Sequence, residues 1–252
     1  MDRPEPDPGG HGAPPVLHVA ADGATLAQDL ASRIAEQLRD ALQRRPRATL
    51  LLSGGRTPIA MWQALSRERL PWSRVDVSLV DERWVPLHDP SSNGGLLQQH
   101  LLQHEAAAAC WLPLSLPGIA SGLTPEDGAE TLETQLRTLI WPADVVVLGM
   151  GGDGHTASWF PGQAPCWDHP TRRCVAVPAP QPPNVPVARV TLTPAALRGA
   201  RCVLLHVQGR DKQALLLRVL SATAAAHPNE KGLPIEQALS QAAGACEVYY
   251  AD

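Results

Sequence analysis

The sequence is poor in the features that mark several large protein classes. Its five cysteines (Cys110, Cys166, Cys174, Cys202 and Cys246) are odd in number, widely scattered and free of C-x-x-C pairs. That spacing fits neither a disulfide framework nor a zinc ribbon, and a reducing compartment is the natural reading. Aromatic residues make up 4% of the chain, with a single Phe, so a base-stacking platform for single-stranded nucleic acid is not expected. No stretch reaches the roughly 18–20 apolar residues of a membrane span. A basic surplus is also missing: 21 Lys and Arg stand against 25 Asp and Glu, a formal charge of −4. Phosphate backbones attract basic faces, so no nucleic-acid partner is expected. A small anionic substrate stays possible, because it needs only a local cluster of cations. The G-x-S-x-G elbow of α/β-hydrolases and the H-E-x-x-H pair of zinc proteases are both absent, as is any repeat of 20–50 residues.

What is present reads as a soluble globular chain of 252 residues, 44% hydrophobic with a mean hydropathy of −0.12. The first fifteen residues hold five prolines, three glycines and charges but no apolar run, unlike a signal peptide. The expectation is a disordered Pro/Gly-rich tail over 1–15, a single domain over 16–252 and a cytoplasmic location. Beyond the tail, strand-length apolar runs alternate with helix-length amphipathic segments. Strands are expected at 16–20, 48–52, 75–80, 110–112, 144–148, 173–177, 187–192, 201–207 and 247–250. Helices are expected at 23–43, 58–67, 94–103, 124–139, 212–225 and 235–241. In the first of these, Leu26, Leu30, Ile34, Leu38 and Leu42 recur every four residues on one face. Such alternation implies βαβ units. The predicted fold is α/β, a three-layer, Rossmann-like arrangement whose mainly parallel sheet is covered by helices on both faces, with a small additional strand region. Ligands of such sheets sit beyond the carboxyl ends of the strands.

Three of those strand ends carry unusual residues. Leu50–Pro58 runs from an apolar strand into Ser53, Gly54, Gly55, Arg56 and Thr57. The glycines allow a tight turn with exposed amides, Thr57 is the expected N-cap with Pro58 opening the helix, and Arg56 adds a cationic donor. A plain strand-to-helix turn is the alternative. In Asp81-Glu82-Arg83-Trp84-Val85-Pro86, Asp81 and Arg83 stand two apart and share a face of extended chain; a surface ion pair is the alternative. The third end, Gly149–Gly162, contains G-x-G-x-x-G. A dinucleotide site fails there, because only six residues separate Gly154 from Pro161 and no acidic residue follows at about twenty positions on. What remains is Asp153 and His155 bracketing Gly154. An imidazole titrates near neutrality and a carboxylate two residues away can orient it; a structural loop histidine is the alternative. Arg189 lies in an expected strand. Arg210 and Lys212 open a helix, where cations oppose the macrodipole unless an anion is bound. His100 and His104, four apart, read as solvated helix residues, and the tryptophans as packing residues.

Together, S-G-G-R-T-P at 53–58, D-E-R-W-V-P at 81–86 followed by Ser92-Asn93, G-M-G-G-D-G-H-T-A-S-W-F-P at 149–161, R-V-T-L-T at 189–193 and G-R-D-K at 209–212 resemble the 6-phosphogluconolactonase family, within the wider glucosamine-6-phosphate deaminase and sugar-phosphate isomerase group. The resemblance implies hydrolysis of 6-phospho-D-glucono-1,5-lactone to 6-phosphogluconate in the oxidative pentose phosphate pathway. It implies His155 as catalytic base, and Asp153 and Asp81 oriented toward the sugar ring or the histidine. The Ser53–Thr57 loop, Arg83, Arg189 and Lys212 would hold the phosphate; Arg56 departs from the Ser or Thr more usual at its position. No metal or organic cofactor is implied, and the assembly is a monomer or a homodimer. The deaminases carry a glutamate five residues after the histidine, where this chain has Phe160. The rival readings are therefore a deaminase or isomerase, disfavoured by Phe160, and a non-catalytic sugar-phosphate sensor, disfavoured by the Asp153–His155 pair.

Overall fold

A computed structural model describes residues 15–182, 184–225, 232–242 and 246–252; nearly all of the expected tail lies outside them. Among the described residues the strands are β1 (Val16–Val19), β2 (Ala48–Leu52), β3 (Val75–Leu79), β4 (Asp81–Arg83), β5 (Cys110–Trp111), β6 (Val145–Gly149), β7 (Cys174–Val177), β8 (Arg189–Leu192), β9 (Val203–Gln208) and β10 (Glu247–Ala251). The α-helices are α1 (Gly23–Arg44), α2 (Ile59–Leu65), α3 (Asn93–His100), α4 (Pro125–Leu136), α5 (Ala164–Trp167), α6 (Pro194–Leu197), α7 (Gln213–Ala225) and α8 (Pro234–Leu239). None of these helices is long and apolar enough to cross a membrane.

Local chemistry accounts for the element ends. Asp22 caps α1 by accepting from the Thr25 amide at 2.8 Å, and the four-residue leucine–isoleucine stripe is buried along its length. Thr124 caps α4 by accepting from the Asp127 amide at 3.2 Å, and its hydroxyl donates to the Asp127 carboxylate at 2.7 Å. The expected cap at Thr57 does not form. Helix α2 starts at Ile59 with Pro58 at the N-cap and no side-chain cap, because the chain makes another turn first, the Ile59 amide reaching the Arg56 carbonyl at 3.3 Å.

Seven strands form a parallel sheet in the order β1-β10-β9-β6-β2-β3-β5. Helix α1 packs on α2 and lies against β2, β6 and β10. The buried valine and leucine run of β6 sits in the middle of the order, as strands shielded from water on both faces must be apolar. From β2 the chain adds β3 and then β5 on one side, whereas β6, β9 and β10 extend the other. The order therefore reverses between β2 and β6, and the segments leaving those two strands diverge around a crevice. A second, antiparallel sheet, β4-β8-β7, is the expected additional strand region.

The opposite end of the sheet is fastened by Asp144, just before β6. Its carboxylate, 2% exposed, accepts from the Thr49 amide at 2.9 Å and pairs with Arg45 and Arg201. Removing one partner of a buried ion pair strands the other charges. Asp144→Ala is expected to lower unfolding free energy by about 3 kcal/mol, measured as a shift of the urea midpoint at unchanged m-value.

Candidate active site

The crevice between β2 and β6 opens into a cleft of about 480 Å³. Ser53 joins its two walls: its amide donates to the Val147 carbonyl at 2.8 Å and its hydroxyl accepts from the Gly149 amide at 3.0 Å. Gly54, Arg56 and Thr57 line the same wall. Gly55, at φ +93°, takes the left-handed conformation that glycine tolerates. Its amide is not bare as expected, since it donates to Asn93 Oδ1 at 3.1 Å. A Cβ on Gly54 would overlap the Asn93 side chain. The first glycine thus serves the close approach of an amide side chain.

The small sheet supplies the cations. With a period of two, Asp81 and Arg83 share the cleft face of β4, while Glu82 points to the other side. There the Glu82 carboxylate, fully buried, accepts from the amides of Arg83, Asn93 and Gly94 at 2.7, 2.8 and 2.6 Å and from the Ser92 hydroxyl at 3.1 Å. Burial pushes its proton affinity up to about 7, against the pull of those amides. This arrangement sets the start of α3, so that Asn93 Oδ1 accepts from Arg83 Nη1 at 2.6 Å as well as from Gly55. In the antiparallel ladder Arg83 is directly opposite Arg189. Like charges in that position repel, and Asp81 offsets them only in part, its carboxylate lying 3.8 Å from Arg189 Nη1. Burial lowers the proton affinity of Arg189; Asp81 counteracts that and Arg83 adds to it. Asp81 also accepts from the Ser158 hydroxyl at 2.6 Å. It faces the cleft, but the histidine is oriented by the other aspartate.

That aspartate is Asp153. Its Oδ1 accepts from the His155 amide at 3.0 Å and lies 2.6 Å from Nδ1. Burial raises its proton affinity, yet the His155 amide and ring outweigh this and hold the carboxyl below its ordinary range. A carboxylate at Nδ1 selects the tautomer with the proton on that nitrogen and leaves Nε2 as a base. Gly154 bends the loop at φ +82°, and a Cβ on Gly151 would strike the imidazole. The ring lines the cleft with its side chain 24% exposed. Phe160, buried, tilts against it at 5.1 Å and carries the Arg189 guanidinium 5.5 Å from its centroid. Lys212 enters from the 3₁₀ turn after β9.

The expected site residues therefore line one cleft, except Gly55 and Asp153, which bond instead to two of its lining residues, Asn93 and His155. Four buried polar atoms of that lining, Arg83 Nε, Arg189 Nε, Thr156 Oγ1 and His206 Nε2, have no hydrogen-bond partner among the described residues. Buried groups of this kind are rare without a ligand or water, and a guanidinium pair among them favours an anion.

A family profile described as glucosamine-6-phosphate isomerases/6-phosphogluconolactonase matches residues 21–245. The chain belongs to that family. Within the glucosamine-6-phosphate isomerase/6-phosphogluconolactonase family it is 44% identical to the 6-phosphogluconolactonase of Pseudomonas aeruginosa over 224 residues, covering 87% of this chain and 89% of that protein. It is 40% identical to the Mesorhizobium japonicum 6-phosphogluconolactonase over 237 residues, 91% of this chain and 92% of that one. The crystal structure of a 6-phosphogluconolactonase from Shewanella baltica superposes with a TM-score of 0.83 at 34% identity, covering 96% of this chain and all of that one.

Sequence reasoning did not weigh Glu82, Asn93, Ser158 or His206 individually. Glu82 and Asn93 lay inside quoted motifs, and their signal was a carboxylate and an N-cap-plus-one amide flanking Arg83. His206 had a signal of its own, an ionisable residue within the apolar run Val203–Gln208. Burial and the Lys212 ammonium lower its proton affinity from 6.5 to about 4. The unfolded chain therefore binds a proton first as pH falls, and stability declines from pH 6.5 towards 4. His206→Val is expected to remove about 2 kcal/mol of the stability lost between pH 7 and pH 5, seen as a smaller shift of the urea midpoint between those two pH values.

Proposed function

We propose that this cleft hydrolyses 6-phospho-D-glucono-1,5-lactone to 6-phospho-D-gluconate, the lactonase step of the pentose phosphate pathway, with His155 as general base. The observation that carries the catalytic assignment is the Asp153–His155 contact at 2.6 Å in a cleft that is also lined by the Arg83–Arg189 pair and Lys212. Membership of the family and the likeness to 6-phosphogluconolactonases support the substrate.

In this reading Nε2 of His155 takes a proton from water as its oxygen attacks C1. The ring-oxygen bond to C1 then breaks, and the imidazolium returns the proton to that oxygen. The resulting carboxylic acid ionises in solvent. One water is consumed. Asp153 stabilises the imidazolium between the two transfers and keeps Nε2 toward the substrate. The Ser53–Thr57 wall, Arg83, Arg189 and Lys212 hold the phosphate, whose binding energy orients C1. Arg189, one phenyl ring away from the imidazole, can also stabilise negative charge developing on the carbonyl oxygen. Phe160 is buried at the position of the deaminases' glutamate. It gives the histidine an apolar wall and no second proton carrier, which favours ester hydrolysis over amino-sugar ring opening.

A coupled assay with freshly generated lactone, corrected for spontaneous hydrolysis, tests this. His155→Ala should lower kcat by roughly 10²–10⁴ with little change in KM; wild-type turnover in that variant would discard the base. Lys212→Ala and Arg83→Ala should raise KM roughly tenfold or more, with smaller effects on kcat. Release of ammonia from glucosamine 6-phosphate would instead point to the deaminase branch.

A further inference from the structure

His206 takes no part in the mechanism above, yet it is among the most unusual side chains of the cleft. It occupies β9 within Val-Leu-Leu-His-Val-Gln, a run otherwise suited to the sheet interior. The residue is 5% exposed and lines the cleft, and its Nε2 has no hydrogen-bond partner among the described residues. A buried, unsatisfied polar atom is costly, so a valine would be the cheaper occupant if packing were its only task.

Register places it. His206 pairs with Gly149 of β6, the residue whose amide Ser53 captures. It is therefore level with the Ser53 wall. Lys212, in the turn that follows β9, is close enough to oppose protonation of the imidazole. A neutral imidazole carries one N–H. Beside an ammonium it can donate to the same anion without adding a second repelling charge.

Resting on the phosphate assignment made above, we propose that His206 is a further phosphate ligand, donating Nε2–H to a phosphoryl oxygen held by Lys212 and the Ser53–Thr57 wall. Binding of the anion selects the tautomer with the proton on Nε2, since an unprotonated Nε2 would face the phosphate lone pair to lone pair. No covalent step is involved. The residue acts on affinity for the phosphorylated end of the substrate and leaves the chemistry at C1 to His155.

The test compares wild type, His206→Leu and His206→Gln, the last retaining an N–H donor near the position of Nε2. Binding of inorganic phosphate and of 6-phosphogluconate is measured by calorimetry, and kcat and KM are measured on the phosphorylated lactone. His206→Leu should weaken both ligands and raise KM roughly tenfold, the loss expected for a hydrogen bond to a charged group, with kcat within about twofold. His206→Gln should restore most of the affinity. In wild-type protein, the His206 ¹⁵Nε2 resonance should shift on saturation with inorganic phosphate, a readout that stands even if the leucine variant fails to fold. An unperturbed resonance, or wild-type affinity in a folded leucine variant, would overturn the proposal, as would a glutamine variant no better than leucine. Failure of the lactonase reading is separate: it would appear as wild-type protein that does not accelerate lactone hydrolysis, whatever its affinity for phosphate.

Discussion

Arg83 and Arg189 stand directly opposite each other in a three-strand ladder, and much of the molecule around them can be read as the means of keeping them there. Two guanidinium groups at that spacing repel, and one of them is almost fully buried. The ladder holds because its other side chains face fixed partners. Asp81 lies against Arg189 and Ser158, and Thr191 accepts from the Ser158 amide at 3.3 Å. The tension is left unresolved within the cleft, where both Nε atoms lack partners. A dianionic group would resolve it, and on the proposed phosphate assignment selectivity would follow from electrostatics before any shape is considered.

The same contacts dock the histidine loop. Ser158 and Trp159 belong to the segment that follows His155, and the Trp159 indole donates to the Leu192 carbonyl at 2.6 Å. The loop leaving β6 is thereby pinned to the small sheet at one end and bent through Gly154 at the other. Reversal of strand order between β2 and β6 decides that this loop and the Ser53 loop part company at one point. The distance between the Ser53 loop and the imidazole is thus set by sheet topology, with the side chains refining it.

Much of this was legible in the sequence. The parallel strands were visible as apolar runs, because a doubly covered sheet demands them, and α1 as a four-residue leucine stripe. Asp153 and His155 stood out because neither suits a tight turn for packing. The pairing of β4 with β8 was not legible: Asp81–Arg83 is three polar residues long, and its strand character comes from partners more than a hundred positions away. Thr57 was misplaced as a cap because a strand-to-turn segment and a strand-to-helix segment share the same Gly, Thr and Pro signals. The role division between Asp81 and Asp153 needed distances. His206 was passed over because its one signal, an ionisable residue within an apolar strand, carries no periodicity and belongs to no motif.

Glu82 anchors the start of α3 through four donors, and the amide of Asn93 bridges Gly55 and Arg83 as a result. The Asn93 oxygen occupies, ahead of any ligand, donors that an arriving phosphate would recruit. On the proposed phosphate assignment the cradle is preorganised: an incoming sugar phosphate would exchange one oxygen acceptor for another and order little new chain, so the entropic toll of association would fall mainly on the ligand itself.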